Sequence, residues 1–172
     1  MNLWFRFLWV ILRSWGTQRI DVLQDSQLYF RTWFLDLDFN LHMNNGRYLT
    51  LMDLGRMDLM LRTGIFHVII HDKWMPVVGS VHMTFRRSLR PLQKFELKTR
   101  VVAWDQKWFY IEQEFHAGNQ IYARGLVKAS LKAKDGLVNS EQVLAKLGVG
   151  TISPEAPERW RAVIKSDQTL HV

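Results

Sequence analysis

The stretch NGRYLTLMDLGRMDLMLRT, residues 45–63, decides the fold. Its apolar residues do not alternate. On a wheel of ~100° per residue, Tyr48, Leu49, Leu51, Met52, Leu54, Met57, Leu59, Met60 and Leu61 cover almost the whole circumference. A helix that is apolar all round is enclosed by other elements rather than laid on a surface. Gly55 in its middle costs about 1 kcal/mol relative to alanine, so a neighbouring element is expected to approach closely there. Asp53 with Arg56, and Asp58 with Arg62, stand at spacings that allow ion pairs along the helix. Gly64 is a natural stop. Asn45-Gly46 is a common hairpin dipeptide, but LTLMDLG behind it lacks the alternation of a returning strand, and a hairpin is rejected.

Outside this helix the pattern changes to alternation. Residues 27–35, QLYFRTWFL, read as one strand, and 74–89, 95–104, 108–117 and 120–132 as four more. Asp105-Gln106-Lys107 and Gly118-Asn119 turn the chain between strands, and Asp135-Gly136 ends the last one. A short helix follows, with Ser140 as cap, Val143, Leu144 and Leu147 on one face and Gly148 as stop. Ser153-Pro154 opens another, carrying Trp160, Val163 and Ile164. One strand, one enclosed helix and four long antiparallel strands make an α+β chain whose curved sheet wraps a central helix, the hot-dog arrangement. An α+β sandwich with the helix on one face would leave a polar stripe that residues 45–63 do not show. The division is then an N-terminal apolar helix over 1–20, the hot-dog domain over 21–138 and a helical extension over 139–172.

MNLWFRFLWVILRSW at the N-terminus does not read as a secretory signal, because no charge precedes the apolar run, Arg6 interrupts it and no A-x-A site follows. Its fifteen residues rise only ~22 Å as a helix, short of a ~30 Å hydrocarbon core. Asn2, Arg6 and Arg13 form a narrow stripe, and Trp4, Trp9 and Trp15 are residues suited to headgroup depth. Two readings follow: an interfacial anchor formed by residues 1–16, which is preferred, or a helix docked on the domain or a partner subunit.

The 172 residues suit one domain, and 48% hydrophobic residues supply a large core. Eight Trp and ten Phe point to a bulky core, or to apolar surface hidden in an oligomer or against lipid. The absence of cysteine excludes a disulfide framework and thiolate chemistry and fits a reducing compartment. The net charge of +7 favours an anionic partner. Arg86, Arg87 and Arg90 cluster, as do Lys94, Lys98 and Arg100, although solvated strand faces explain most such residues. No zinc-ligand spacing, glycine-rich phosphate loop or RNA-binding aromatic motif is present, so charge alone supports nucleic acid, which is not expected as a partner.

Polar residues crowd ahead of the helix: DLDFNLHMNNGRY, Asp36 to Tyr48. Singly they have plain explanations. Asn40 or Asn44 caps the helix, and the aspartates are solvated loop carboxylates. Together they suggest chemistry. A helix N-terminus offers unpaired N–H donors that can hold an oxyanion, worth ~2.7–4 kcal/mol per donor in comparable sites. A carboxylate beside them can attack a thioester or deprotonate a water.

This motif resembles the D-x-D-x-x-x-H-x-N-N-x-x-Y pattern of hot-dog thioesterases of the 4-hydroxybenzoyl-CoA type, and the D-x-N-x-H core in the second repeat of plant acyl-ACP thioesterases. The resemblance covers residues 27–133. It implies a catalytic carboxylate at Asp38, with Asn40 and His42 orienting it or a water. The amides near Asn44, Asn45 and Gly46 are the expected oxyanion site, with Tyr48 packed beside the pocket. Where the plant enzymes carry a further Glu, this chain has Thr84, within Met83-Thr84-Phe85-Arg86-Arg87; a hydroxyl cannot act as that base, and Thr84 is expected only as an oxyanion or substrate-positioning residue. Other hot-dog thioesterases use an acid on the central helix, for which Asp53 is the candidate.

The expectation is an acyl-thioester hydrolase acting on acyl-CoA or acyl-ACP without cofactor or metal, as a homodimer or homotetramer. Arg86, Arg87 and Arg90 are candidates for the carrier's phosphates. It is expected in the cytoplasm, at the inner face of a membrane if residues 1–16 are an anchor. The alternatives are a hot-dog protein that binds an acyl thioester or lipid without hydrolysing it, and a dehydratase of hydroxyacyl thioesters.

Overall fold

The computed structural model describes residues 3–169; Met1, Asn2 of the N-terminal stripe, and residues 170–172 of the expected extension lie outside the described residues. The elements are α1 (Leu3–Trp15), β1 (Ser26–Arg31), a 3-10 turn (Phe34–Asp36), α2 (Asn45–Thr63), α3 (Ile65–Asp72), β2 (Met75–Phe85), β3 (Lys94–Trp104), β4 (Phe109–Ala117), β5 (Gln120–Ala133), β6 (Gly136–Leu137), α4 (Ser140–Lys146) and α5 (Glu158–Thr169). The strands form an antiparallel sheet in the order β1-β3-β4-β5-β2, with β6 on β5. It curves around α2, giving the hot-dog fold.

The sheet and α1 take up Tyr48, Leu51, Met52, Leu54, Gly55, Asp58 and Leu59 of α2. Leu49 nevertheless stays 43% exposed, and Met57, Met60 and Leu61 are half-buried, so the single chain does not enclose the full circumference. Gly55 marks the close crossing: a Cβ there would lie 2.5 Å from Thr99 Oγ1 and 2.7 Å from Gln113 Nε2. Gln113 Nε2 already donates to Met52 O (2.9 Å) and Thr99 Oγ1 (3.0 Å), which fixes β3 and β4 against the helix backbone. Asp58 accepts from Ser26 Oγ (2.6 Å) and lies 3.9 Å from both Arg13 and Arg62, tying α2 to β1 and α1; burial pushes its carboxyl above the ordinary range.

Several boundaries differ from the sequence reading: β2 ends at Phe85 rather than at residue 89, and α5 begins at Glu158 rather than directly behind Ser153-Pro154. The first strand ends at Arg31, because Asp36 and Trp33 hydrogen-bond each other and curl the chain into the 3-10 turn. Gly64, with φ of 81°, ends α2, but α3 starts directly behind it, where the apolar run IFHVII gives no period to read. Asn139, not Ser140, caps α4 through the Glu141 N–H (2.9 Å), while Ser140 Oγ donates to Asp105 O.

The sequence places Arg6 and Arg13 on a polar stripe, and the structure turns that stripe inward. Arg6 is 2% exposed and donates to both carboxylate oxygens of Asp36, at 3.1 and 2.5 Å, and to Arg31 O at 3.1 Å. Arg13 donates to Gln27 O at 2.9 Å. The apolar arc of Trp4, Phe5, Leu8, Leu12 and Trp15 faces outward. Among the described residues no helix is long and apolar enough to cross a membrane.

On the opposite face of the sheet α5 packs Trp160 and Ile164 against Val102, Tyr110 and Leu126. Beneath it Glu112, 1% exposed, accepts from Arg100, Arg159 and Trp160 Nε1 at 2.6–3.0 Å. Burial alone would raise its pKa, but these donors outweigh that and hold it at about 2, below its ordinary 4.5. The folded value is the depressed one, so Glu112 contributes fully above about pH 4.5 and the contribution fades as the pH falls towards 2. Stability measured by urea unfolding is expected to drop across that window by roughly 3 kcal/mol more in the wild type than in Glu112→Gln.

Candidate active site

The loop between the 3-10 turn and α2 is closed by a bridge between Leu37 and Met43. Within it the Asp38 N–H donates to His42 O (2.8 Å) and the Leu41 N–H to Asp38 O (3.1 Å), with Leu41 at a φ of 56°. Asp38 Oδ1 accepts the N–H groups of Asn40 (2.9 Å) and His42 (3.3 Å), an aspartate-centred turn. Oδ2 accepts no hydrogen bond among the described residues, and the side chain is partly exposed. Asp36, two residues earlier, is a buried partner of Arg6, and its carbonyl accepts the Asn44 N–H at 2.8 Å. The two aspartates thus divide the work: Asp36 holds the loop in place, and Asp38 presents a carboxylate oxygen.

Asn44 is the cap of α2, its Oδ1 accepting the Gly46 N–H at 2.8 Å. Of the amides expected as oxyanion donors, those of Asn44 and Gly46 are therefore engaged, and that of Asn45 has no partner among the described residues. Asn40 and Asn45 are exposed. Tyr48 is 1% exposed, stacks edge-on against Phe85 and Phe115, and stands 3.4 Å from the Leu89 N–H.

His42 lines a polar cleft of about 480 Å³ with Arg87, Ser88, Arg90, Gln93 and Tyr122. Gln93 is fixed there by Tyr122 Oη (3.0 Å) and the Arg90 N–H (2.9 Å). Arg87 and Arg90 are exposed and form no ion pair among the described residues. Arg86 is exposed next to this cleft without lining it. Thr84 does not join the group. It alternates with Met83, which faces α2 beside Gly125, and so shares the face of Ser80 and His82, which touch Asp167 and Trp160 of α5.

A second cavity, apolar and about 350 Å³ in volume, lies between the C-terminal half of α2, α3, α4 and the sheet, lined among others by Met57, Met60, Val78, Ile111, Leu144 and Leu147. Asp53 and Arg56 are part of its wall and pair with each other, while Arg56 also donates to Gln113 Oε1 at 2.8 Å. Asp53 lies about 12 Å of helix rise beyond Asn45, and no residue of the loop carrying Asp38 is among those that line this cavity. Sequence reasoning missed Gln93 and Tyr122, which lie far from the motif, and Arg6, whose partner is thirty residues away.

The family described as the thioesterase-like superfamily matches residues 32–145. The chain is 42% identical over 117 residues to Protein THEM6 of Danio rerio, covering 66% of this chain and 58% of that protein. It is 30% identical over 149 residues to the probable thioesterase atnL of Emericella nidulans, covering 70% of this chain and 48% of that one. The chain thus spans about half of the curated relatives it matches. The solved structure of the YbaW probable thioesterase from Escherichia coli superposes with a TM-score of 0.66 at 19% identity, over 70% of this chain and 94% of that one, and so shares the fold.

Proposed function

The chain belongs to the thioesterase-like superfamily, and from that premise we propose that it hydrolyses acyl thioesters carried on coenzyme A or an acyl carrier protein, with Asp38 as the reacting carboxylate. The observation that carries this reading is the doorway itself. Asp38 has one oxygen committed to its turn and the other unengaged among the described residues, four residues from His42, which lines an open polar cleft. Asp38 either attacks the thioester carbonyl or takes a proton from water, whose oxygen then attacks. The Asn45 N–H at the positive end of α2 holds the developing oxyanion. The tetrahedral adduct then collapses with the thiolate leaving. After attack by water it gives the free acid, and the proton taken up by Asp38 returns to the thiolate. After attack by Asp38 it leaves a mixed anhydride, which a water cleaves to the free acid, restoring the carboxylate, while the thiolate takes a proton from solvent. His42 and Asn40 position the water or the carboxylate.

Arg87 and Arg90, with Arg86 beside them, take the phosphates of the carrier, since unpaired guanidinium groups suit bidentate contact with phosphate oxygens. The apolar cavity takes the acyl chain. Because the cavity wall includes Val78 of β2, whose outer edge pairs with no strand among the described residues, a second copy pairing along that edge would cover the half-buried side of α2 and set one doorway against its partner's cavity.

Free thiol is measured for acyl-CoA substrates from acetyl to palmitoyl, with hydration of an enoyl-CoA followed in the same samples. Thiol release that improves with chain length supports the reading. Release from none of them discards it, in favour of a binding protein where the acyl-CoA is bound unhydrolysed, and hydration without thiol release discards it in favour of a dehydratase.

A further inference from the structure

The inward turn of the arginine stripe leaves α1 with an unusual outer face. Trp4, Phe5, Leu8, Leu12 and Trp15 are each more than half exposed and lie on one arc. The ion pair of Arg6 with Asp36 draws the 3-10 turn against this helix, and there Phe34 and Leu35 are two-thirds exposed. Together they form an apolar, aromatic surface larger than scattered single side chains produce. Tryptophans stand near both ends of the helix, the placement expected at headgroup depth.

We infer that this surface, the outer arc of α1 continued by Phe34 and Leu35, docks on an anionic lipid bilayer. Charge on its border supports that occupant. Arg31 and Lys94 stand opposite each other in register, are exposed, and line a groove of about 730 Å³ with Trp9 and Trp33, in position for lipid phosphates. The groove's carboxylate, Glu96, lies 3.7 Å from Lys98, which offsets its charge. Sheet order argues against a second copy of the chain as the occupant. β1 and β2 are the two ends of the sheet; Arg6 and Arg13 of α1 already donate to carbonyls of β1, whereas the outer edge of β2 has no partner strand among the described residues and is the one left for a second copy.

Docking has a consequence for the doorway. Asp36, held by Arg6 from α1, accepts at its carbonyl the N–H of Asn44, the cap of α2, so the helix that meets lipid also fixes the loop carrying Asp38. Only this consequence rests on the thioesterase reading; the docking itself does not.

The test uses the full chain and vesicles of phosphatidylcholine with or without phosphatidylglycerol, separated by sedimentation. The wild type is expected to sediment with the anionic vesicles, more weakly with neutral ones, and less as salt rises. A Leu8→Asp/Leu12→Asp double variant is expected to bind at least about tenfold more weakly. Ile70→Asp, at a similarly exposed apolar side chain outside the surface, is expected to bind as the wild type does. Equal binding by the double variant, or no binding by the wild type, overturns the proposal. So does a loss of subunit association in the double variant by light scattering, which would make the surface a protein seam. Thiol release from soluble acyl-CoA without vesicles is measured separately, so failure to dock and failure to hydrolyse are told apart.

Discussion

Asp38→Asn is expected to lower kcat for thiol release from acyl-CoA by at least ~10²-fold and to leave the urea midpoint nearly unchanged. The geometry makes it a clean substitution. Asparagine keeps an Oδ1 that can accept the N–H groups of Asn40 and His42, so the turn is retained. It loses the negative charge and the basic oxygen, which are all that the chemistry needs. KM should move little, because the cleft lined by Arg87 and Arg90 is untouched. Asp53→Asn is the informative comparison. Asp53 is 68% exposed and its partner is Arg56, so the lost pair is worth under ~1 kcal/mol. A rate that survives Asp38→Asn but collapses in Asp53→Asn would move the reacting carboxylate onto the central helix, beside the apolar cavity. A rate that survives both would remove carboxylate catalysis from the account.

What could be read in advance was whatever is encoded locally. α2 is legible end to end, because its period, the Asn44 cap and the Gly64 stop all lie within its own span. Gly55 announces a close neighbour by being the wrong residue for a helix interior, and Thr99 and Gln113 are that neighbour. α3 is hidden because a run of consecutive apolar residues carries no period, so helix and strand look alike. α1 is hidden in a different way. A helix apolar on nearly all sides does not say which side is inside, and the answer depends on Asp36, thirty residues on. The candidate site divides along the same line. The D-x-D motif is plain in the sequence, but only the fold shows that the first aspartate is buried against an arginine and the second is not. Thr84 stands apart from His42 and Asp38 for a reason of parity: one residue from Met83 and Phe85, it shares the face of the sheet on which α5 packs and is itself exposed.

Arg6→Met is the substitution expected to cost most in stability, about 3–5 kcal/mol by urea unfolding. Both groups of the pair are 2% exposed, so the loss is not of attraction alone. Methionine fills much of the space but leaves the Asp36 carboxylate buried with the Trp33 N–H at 2.8 Å and the distant, half-exposed Arg47 at 3.8 Å. A charge so placed is expensive to desolvate, whereas a neutral amide there is not. Arg6→Met/Asp36→Asn is therefore expected to recover a large part of the loss, since asparagine can still accept from Trp33 and no charge is left unpaired. The cycle separates two causes that a single substitution confuses. If Asp36→Asn rescues, the cost lies in the orphaned carboxylate. If it does not, the cost lies in the packing of α1, and Arg6 matters as a spacer that carries Val10 and Phe7 onto the core. A loss below about 1 kcal/mol for Arg6→Met would mean that α1 is held mainly by its other contacts. The rescued variant also isolates positioning from stability. With α1 seated but the charged link gone, a fall in kcat at unchanged KM would show that the pair sets the loop carrying Asp38, because neither Arg6 nor Asp36 lines the cleft.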